Sequence, residues 1–236
     1  MTSRGDSRPD VAVVIVAAGA GVRAGPGEPK QFRPILGVPM LLRALRPFLS
    51  HPEVDHVVVT LPAGHAEHPP EWLGKLTGDR LRVVAGGRTR SDSVRAGLGA
   101  LGRDVEIVLV HDGARPFVSR ETIDGVIARA RAGVGAIAAI PVGDTIKDVE
   151  QERITRTVAR ERLWRAQTPQ GFPRGMIERA YAALANGDAA PSPTDDAELC
   201  ERAGLPVDVV ADSPYNFKVT TADDFRIAEA LARELR

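Results

Sequence analysis

The 236-residue sequence has only one cysteine, Cys200, and no excess of charge of either sign. A single cysteine excludes a disulfide framework and a cysteine-rich metal site. Lys plus Arg and Asp plus Glu both number 31, so the chain lacks the basic footprint of a protein that binds duplex nucleic acid, and we expect no such partner. The same balance is compatible with a local basic pocket for a small anion.

Long apolar segments are missing as well. No run approaches the 18 residues that a membrane-spanning helix needs, so we expect no membrane association. The first ten residues, MTSRGDSRPD, lack the apolar core of a signal peptide and are predicted to be a frayed start. These absences favour a cytoplasmic protein.

The sequence does contain a regular alternation of apolar runs and amphipathic segments. The runs suited to buried strands are 11–16, 56–61, 81–84, 107–110, 136–140 and 207–210. The segments with helical character are 39–49, 91–101, 119–132, 173–185 and 221–235, with predicted N-caps at Ser119 and Thr221. The alternation predicts one α/β domain over residues 1–236, with a Rossmann-like, mostly parallel twisted sheet and helices on both faces.

Residues 144–163, DTIKDVEQERITRTVARERL, break this pattern. The β-branched residues Ile154, Thr155 and Thr157 favour an extended chain, but charges on both faces prevent either face from joining a core. We predict a protruding β-hairpin arm, with a solvated surface loop as the alternative. Because an isolated hairpin is marginally stable in water, the arm predicts a second subunit to lean on, and hence a homodimer.

The segment VAAGAGVRAGPGEPKQF, residues 16–32, fits the dinucleotide fingerprint G-x-G-x-x-A. A redox dinucleotide site also needs a carboxylate about 20 residues further on, to bind the ribose hydroxyls. Residues 29–52 contain no Asp or Glu, and the second predicted strand also ends without one. The redox interpretation is therefore disfavoured, and a purely structural turn is a further alternative.

The same loop suits a phosphate group better. Its small residues let backbone N–H groups approach an anion: Ala17, Ala18, Gly19 and Gly21. Arg23 can bind phosphate oxygens bidentately, and Lys30 is predicted on a loop because it follows Gly and Pro residues. No G-K-[ST] ends this loop, so it is not a P-loop. Cations on a glycine loop suit a triphosphate whose charge shifts during a reaction.

Motifs along residues 11–235 resemble those of the 2-C-methyl-D-erythritol 4-phosphate cytidylyltransferases, a family of sugar nucleotidyltransferases. The loop motif is AAGAGVRAG followed by PKQF. The other motifs are GGRTRSDSV at 86–94, VLVHDGARPF at 108–117, DTIK at 144–147, TVARERLWRAQTPQGF at 157–172, TDDAEL at 194–199 and FKVT at 217–220. Any one of these motifs alone is unspecific, but their joint presence is highly specific.

The resemblance implies that the phosphate of methylerythritol phosphate attacks the α-phosphorus of CTP and releases pyrophosphate. Since the nucleophile is already an anion, the reaction needs charge neutralisation and in-line positioning rather than a general base. Lys30 and Lys218 match the family lysines that hold the triphosphate and the transition state, and Arg23 joins them in the catalytic set. Surface lysines are the alternative, but only four of the 31 basic residues are lysines.

Asp112 follows the predicted strand at 107–110, at the edge where ligands bind open α/β sheets. The resemblance implies that it is a substrate-binding residue and a Mg²⁺ ligand, with phosphates and waters completing the shell. An Asx-turn that ends the strand is the alternative. Arg115 resembles the family arginine that contacts the acceptor phosphate, and His111 is interpreted as structural.

Gly86, Gly87 and Ser93 lie in a segment that resembles the cytosine-recognition loop of the family. Arg88 departs from relatives that carry an acidic residue there. A guanidinium cannot accept a hydrogen bond from the amino group that distinguishes cytosine from uracil. Selectivity for cytosine must then come from main-chain carbonyls, such as that of Gly87.

The acceptor side of the site rests on the resemblance alone. Thr145 and Thr168 resemble acceptor-site residues, although both also fit strand or turn threonines. Arg160, on the predicted arm, matches a family arginine that reaches the acceptor of the partner subunit. Thr194 and Asp195 are interpreted as a helix N-cap and an acidic first-turn residue.

We therefore expect a homodimeric, Mg²⁺-dependent cytidylyltransferase that uses CTP and a polyol phosphate. One alternative is the same chemistry on another acceptor, such as ribitol 5-phosphate. A second is a nucleotide-binding regulatory protein, which the paired lysines and Asp112 disfavour because a binder needs no transition-state clamp. The third, a dinucleotide oxidoreductase, is disfavoured by the missing ribose-binding acid.

Overall fold

The computed structural model describes residues 10–19, 28–186 and 192–235. Within these ranges the strands are β1 Val11–Val16, β2 Pro34–Ile35, β3 Val38–Pro39, β4 Val54–Leu61, β5 Leu81–Ala85, β6 Ile107–Asp112, β7 Gly135–Pro141, β8 Ile146–Glu150, β9 Arg153–Val158, β10 Trp164–Pro173 and β11 Val207–Ala211. The helices are α1 Met40–Leu49, α2 Ala63–Glu67, α3 Glu71–Gly74, α4 Arg90–Gly99, α5 Arg120–Arg131, α6 Arg174–Asn186, α7 Asp196–Arg202 and α8 Ala222–Glu234.

Seven of these strands form one sheet in the order β11-β7-β10-β6-β1-β4-β5. Six strands run in the same direction, and β10 is antiparallel to both of its neighbours, β7 and β6. The mostly parallel α/β sheet predicted from the apolar runs is confirmed, and each run lies on a strand. The sequence pattern missed β10, because WRAQTPQGFP has neither a continuous apolar run nor an alternation.

The two faces of the sheet bury alternate residues of the strands, as the period of two requires. In β1, Val13 and Ile15 pack into the cluster that includes α1 and α5, whereas Val14 packs into the cluster that includes α4 and α6. Helix α4 approaches β1 so closely that a Cβ on Gly97 would lie 2.4 Å from Cγ1 of Val14. Helices therefore cover both faces of the sheet, as predicted.

Helix N-caps agree with the sequence at two positions and differ at a third. The side chains of Ser119 and Thr221 accept hydrogen bonds from backbone amides, and Thr221 forms a capping box with Asp224. The cap of α7 is Asp195 rather than Thr194, since the Asp195 carboxylate accepts the amide of Glu198. The interpretation of Thr194 as the N-cap is therefore wrong by one residue.

The arm is a separate two-stranded antiparallel sheet formed by β8 and β9. This confirms the predicted hairpin and excludes the solvated loop. At its base the Val142 amide donates to the Leu163 carbonyl at 3.0 Å, and Trp164 pairs with Pro141. The chain thus leaves the sheet after β7, forms the arm and returns as β10, directly beside the strand that it left.

None of the helices in the described ranges has the length and apolarity to cross a membrane.

Candidate active site

A cavity of about 430 Å³ opens at the carboxyl ends of β1 and β6. The chain crosses from β5 back to β6 on the other side of β1, so these adjacent strand ends form the topological switch point where open α/β sheets bind ligands. The lining residues are Val16, Ala17, Ala18, Gly19, Lys30, Gln31, Gly87, Arg88, Thr89, Arg90, Ser93, Asp112, Gly113, Ala114, Lys218 and Thr220. Four of the sequence motifs therefore meet in this one cavity.

Asp112 is the buried carboxylate of the cavity. Its Oδ2 lies 2.9 Å from Nζ of Lys218 and 3.5 Å from Nε of Arg115, and its Oδ1 lies 3.6 Å from Nε of Arg90. Burial raises the pKa of Asp112, but Lys218, Arg90 and Arg115 outweigh that effect and hold the pKa well below its usual range. The carboxylate is therefore ionised at neutral pH. The three cations around it outnumber its single negative charge, so this side of the cavity attracts anions.

Lys30 and Lys218 approach the cavity from two separate segments that contact each other. The Nζ of Lys30 donates a hydrogen bond to the Val219 carbonyl at 3.0 Å, next to Lys218 in the chain. The Val219 amide in turn donates to the Ala114 carbonyl at 2.8 Å, just after Asp112. Lys30 lies on a turn, as predicted.

At Gly86 and Gly87 the backbone lies so close to neighbouring residues that there is no room for a side chain. A Cβ on Gly86 would lie 2.4 Å from Cβ of Ala18, and one on Gly87 would lie 2.2 Å from Cβ of Asp92. The Ser93 hydroxyl accepts the Gly87 amide at 3.1 Å and donates to the Thr89 carbonyl at 3.0 Å. Ser93 therefore fixes the shape of this loop beside Ala18, in the segment that follows β1.

Thr168 and Arg115 lie behind Asp112 and outside the cavity lining described above. The Thr168 hydroxyl accepts the Asp112 amide at 3.0 Å and contacts Nδ1 of His111 at 3.0 Å. Nε2 of His111 lies 3.0 Å from the Arg115 carbonyl and must donate to it, so Nδ1 accepts from Thr168. The Thr168 hydroxyl thus supports the backbone of Asp112.

His111 is fully buried in this chain of hydrogen bonds. Burial lowers the pKa of His111 to about 4, although its hydrogen bond to the Arg115 carbonyl opposes the shift. The imidazole is therefore neutral near pH 7, which agrees with its interpretation as a structural residue.

The remaining predicted residues do not reach this cavity within the part of the chain that the structure describes. Thr145 and Arg160 are exposed at the base of the arm, where Nη1 of Arg160 donates to the Gly143 carbonyl. Gly21 and Arg23 lie outside the described residues. Of the predicted nucleotide residues that the structure describes, all but Gly86 line this one cavity. The predicted arm residues lie elsewhere in the same chain.

Sequence reasoning missed Arg90, which lines the cavity from the first turn of α4. Its Nη1 lies 2.8 Å from Oδ2 of the buried Asp196, whose Oδ1 accepts the Tyr181 hydroxyl at 2.6 Å. Burial opposes the charge of Arg90, but Asp196 and Asp112 outweigh it and raise the pKa of the guanidinium. Its place inside the motif GGRTRSDSV was the available signal.

Gln31 was missed in the same way. Its Nε2 donates to the Ala17 carbonyl at 3.1 Å, which ties the turn that carries Lys30 to the end of β1. The motif PKQF contains this glutamine beside the lysine, but only the three-dimensional contact indicates its role.

Comparisons with known proteins agree with this geometry. A 2-C-methyl-D-erythritol 4-phosphate cytidylyltransferase of Syntrophus aciditrophicus is 40% identical over 236 residues, which cover 96% of this chain and 97% of that protein. The bifunctional enzyme IspD/IspF of Paracoccus denitrificans is 46% identical over 222 residues, which cover 93% of this chain and 55% of that protein. This chain therefore spans about half the length of the bifunctional relative.

The fold is shared with solved structures as well. The crystal structure of 2-C-methyl-D-erythritol 4-phosphate cytidylyltransferase from Thermus thermophilus matches with a TM-score of 0.79 and 36% sequence identity, covering 95% of this chain and 99% of that chain. The family model described as IspD, 2-C-methyl-D-erythritol 4-phosphate cytidylyltransferase, matches residues 11–234. The chain therefore belongs to the IspD family.

Proposed function

We propose that this chain is a cytidylyltransferase that joins CTP and 2-C-methyl-D-erythritol 4-phosphate, giving the CDP-methylerythritol product and pyrophosphate. The observation that carries the proposal is the convergence of Lys30, Lys218 and Asp112 on one cavity. Membership of the IspD family supports the same reaction and disfavours another polyol phosphate as the acceptor. A cytoplasmic location is part of the proposal.

The nucleotide is proposed to lie across the cavity from the phosphate loop to the loop at 86–93. Ala17, Ala18 and Gly19 would face the triphosphate with their backbone, and Gly21 and Arg23 would continue that cradle. Gly87 and Ser93 would contact the cytosine, with Gly86 packed on Ala18. The support for this orientation is that the two loops touch and line the same cavity.

The reaction needs little from the protein beyond charge and position. An oxygen of the acceptor phosphate attacks the α-phosphorus, the bond from that phosphorus to the β-phosphate oxygen breaks, and its electron pair leaves with pyrophosphate. No proton has to move in this step. The ammonium groups of Lys30 and Lys218 would neutralise the charge that builds on the transferring group, where preorganised cations stabilise a transition state most.

The donor set of the cavity fits a divalent cation held by one protein carboxylate. Among the residues that the structure describes, no group of three or more His, Cys, Asp or Glu side chains could hold a metal by itself. Mg²⁺ typically takes one or two carboxylates and completes its shell with substrate phosphates and waters. Asp112, held ionised by its three cations, would supply that carboxylate. When bound, Mg²⁺ supplies neutralisation of phosphate charge.

The acceptor half of the site is proposed to be completed by a second copy of the chain. Arg115 and Thr168 would contribute from behind Asp112. Thr145 and Arg160 would reach the site of the partner across a homodimer, in which residues 144–163 form the dimerisation arm. Two observations support this: Arg160 is exposed and away from its own cavity, and Ile154 on the arm is 60% exposed.

One assay tests the proposed function. Pyrophosphate release is measured with CTP and Mg²⁺ in the presence of methylerythritol phosphate, ribitol 5-phosphate or no acceptor. We expect release with methylerythritol phosphate only. Release with ribitol 5-phosphate instead would indicate the alternative acceptor, and CTP binding without release from either acceptor would indicate a non-catalytic nucleotide-binding protein.

A further inference from the structure

Asn216 is a fully buried amide near the cavity that the proposed reaction does not use. Its Nδ2 donates to the Thr168 carbonyl at 2.8 Å and to Oδ2 of Asp212 at 2.6 Å. A carbonyl oxygen can only accept, so the amide must turn its NH₂ group toward the Thr168 carbonyl, and the same group then reaches Oδ2 of Asp212. The orientation of the Asn216 side chain is therefore determined by its surroundings.

The backbone of Asn216 is held as firmly as its side chain. Its carbonyl accepts from Nη1 of Arg115 at 2.8 Å and from Nε2 of Gln167 at 3.0 Å. Its amide donates to the Ser213 carbonyl at 3.1 Å. Arg115 and Gln167 lie 101 and 49 residues away in the sequence, so Asn216 joins the segment before Lys218 to distant parts of the fold.

Lys218 lies between two fixed points of its own backbone. Asn216 is anchored two residues before it, and Val219 is anchored one residue after it by hydrogen bonds with Ala114 and Lys30. A lysine side chain has several rotatable bonds and loses rotamer entropy when it is held in one place. A fixed backbone on both sides confines the volume that its ammonium can reach.

These contacts close a ring around the cavity wall. Asn216 donates to the carbonyl of Thr168, the Thr168 hydroxyl accepts the amide of Asp112, and the Asp112 carboxylate receives the ammonium of Lys218. Asp112, which pairs with Lys218, and Asn216 are thus both hydrogen-bonded to Thr168. A displacement of the 213–218 segment would move the ammonium away from Asp112.

We propose that Asn216 is a positioning residue for the transfer reaction. Its side-chain amide fixes the Lys218 segment on the Thr168 backbone, so that the Lys218 ammonium stays beside Asp112 and the transferring phosphoryl group. The proposal rests on the proposed function of the cavity. The competing view is that Asn216 only stabilises the fold and that Lys218 finds its place without it.

Three single variants separate these views. Asn216→Ala removes the donor, and the nearly isosteric Asn216→Asp puts an acceptor against the Thr168 carbonyl and Asp212. Tyr215→Ala is the matched control, because Tyr215 is the preceding residue and is 56% exposed. Since a misplacement of about 1 Å can cost about 100-fold in rate, we expect kcat to fall about 10- to 100-fold in both Asn216 variants and to stay unchanged in Tyr215→Ala.

A double-mutant cycle with Lys218→Ala gives the decisive readout. If Asn216 acts through Lys218, adding Asn216→Ala to Lys218→Ala causes no further loss of kcat. An equal loss in both backgrounds, or single variants with normal kcat, would overturn the proposal. Circular dichroism and thermal unfolding verify that each variant is folded, and Asn216→Asp carries the cycle if the Ala variant does not fold. Absence of turnover in the unmodified protein would contradict the proposed function instead.

Discussion

The cavity and the arm use charged and apolar residues in opposite ways. In the cavity, the carboxylate of Asp112 is buried and paired with Arg115, which is buried just outside the lining. On the arm, Val149 and Ile154 are exposed, and the ion pair between Arg156 and Asp148 lies in solvent, where such pairs contribute little. The cavity is therefore lined by residues of one chain, whereas the arm would contact a second copy in the proposed dimer.

The largest expected effect comes from the cations of the cavity. Replacing Lys30 or Lys218 by Ala removes a preorganised charge, and loss of one such group costs about 2.7–4 kcal/mol, or roughly 10²–10³ in turnover. Lys75→Ala is the matched control, since this lysine is 71% exposed and pairs with Glu71 on the surface. Steady-state kinetics at saturating CTP measure the effect. Near-normal turnover in either cavity variant would remove that lysine from the mechanism.

A subunit-mixing experiment tests whether the arm belongs to a neighbouring site. Homodimers of Lys30→Ala and of Arg160→Ala are mixed until their subunits exchange. If Arg160 serves the partner, each mixed dimer has one whole site, so activity returns to about a quarter of the unmodified level in an isologous pair with random mixing. Pyrophosphate release is the measurement, and mass spectrometry verifies the exchange.

The control for that experiment mixes Lys30→Ala with Lys218→Ala. Both lysines line the same cavity of one chain, so every site in this mixture keeps one lesion and no recovery is expected. Recovery in this control, or none in the Arg160 mixture, would contradict the shared site. In that case the active site would consist of residues from one chain, and the arm would be a solvent-exposed hairpin without a role in the neighbouring site.

A smaller effect is expected at the base-recognition loop. Arg88 lines the cavity, but its side chain offers no acceptor for the cytosine amino group. We still expect CTP to be preferred over UTP, ATP and GTP through main-chain carbonyls, and we expect Arg88→Asp to raise the ratio of kcat/KM for CTP over UTP. Arg88→Ala controls for loss of the cation alone. Equal use of CTP and UTP by the unmodified protein would show that this arginine has weakened base selection.

The smallest effect concerns the first turn of α8, which follows the Lys218 segment. Burial raises the pKa of Asp224, but hydrogen bonds from the Thr221 and Thr220 amides outweigh it and lower the pKa. Asp224→Ala should therefore lower the unfolding free energy by about 0.3–1 kcal/mol at neutral pH, the usual contribution of an anion in the first turn of a helix. Denaturant unfolding measures this, with the exposed Asp223→Ala as the control.

The pH dependence of the Asp224 contribution has a definite sign. Because its pKa is lower in the folded state, the unfolded state binds more protons in acid. The stabilisation is present above the ordinary pKa of an aspartate and is lost as the pH falls through the folded value. The stability of Asp224→Ala should therefore decrease less in acid than that of the unmodified protein, and parallel pH profiles would contradict the role of this cap.

Apolar runs were sufficient to predict the strands whose own side chains build the core. Strand β10 escaped this reasoning because its backbone pairs with β6 and β7 on both sides. Helix α5 packs so closely on it that Gly171 has no room for a side chain, so the strand shows no apolar pattern. The extended conformation of such a strand is determined by its hydrogen bonds to the neighbouring strands. Periodicity along the chain cannot reveal it, since the partners are far away in sequence.

The same limit applies to the candidate site. The motifs shared with the family predicted Lys30, Lys218 and Asp112, and these three residues line one cavity. Asn216 carries no such signal, since its significance lies in a contact with Thr168, 48 residues earlier in the chain. Supporting residues of this kind are determined by long-range geometry, which a single sequence does not display.

The base of the arm has a consequence for how the protein can change over evolutionary time. The chain leaves and re-enters the sheet at one hydrogen-bonded pair, Val142 and Leu163. Residues 143–162 therefore form an insertion that is closed at its base by this pair. We expect this insertion to tolerate changes of length or sequence without a shift in the register of β7 or β10. In the proposed dimer, selection on acceptor choice and selection on nucleotide chemistry would then act on separable parts of the gene.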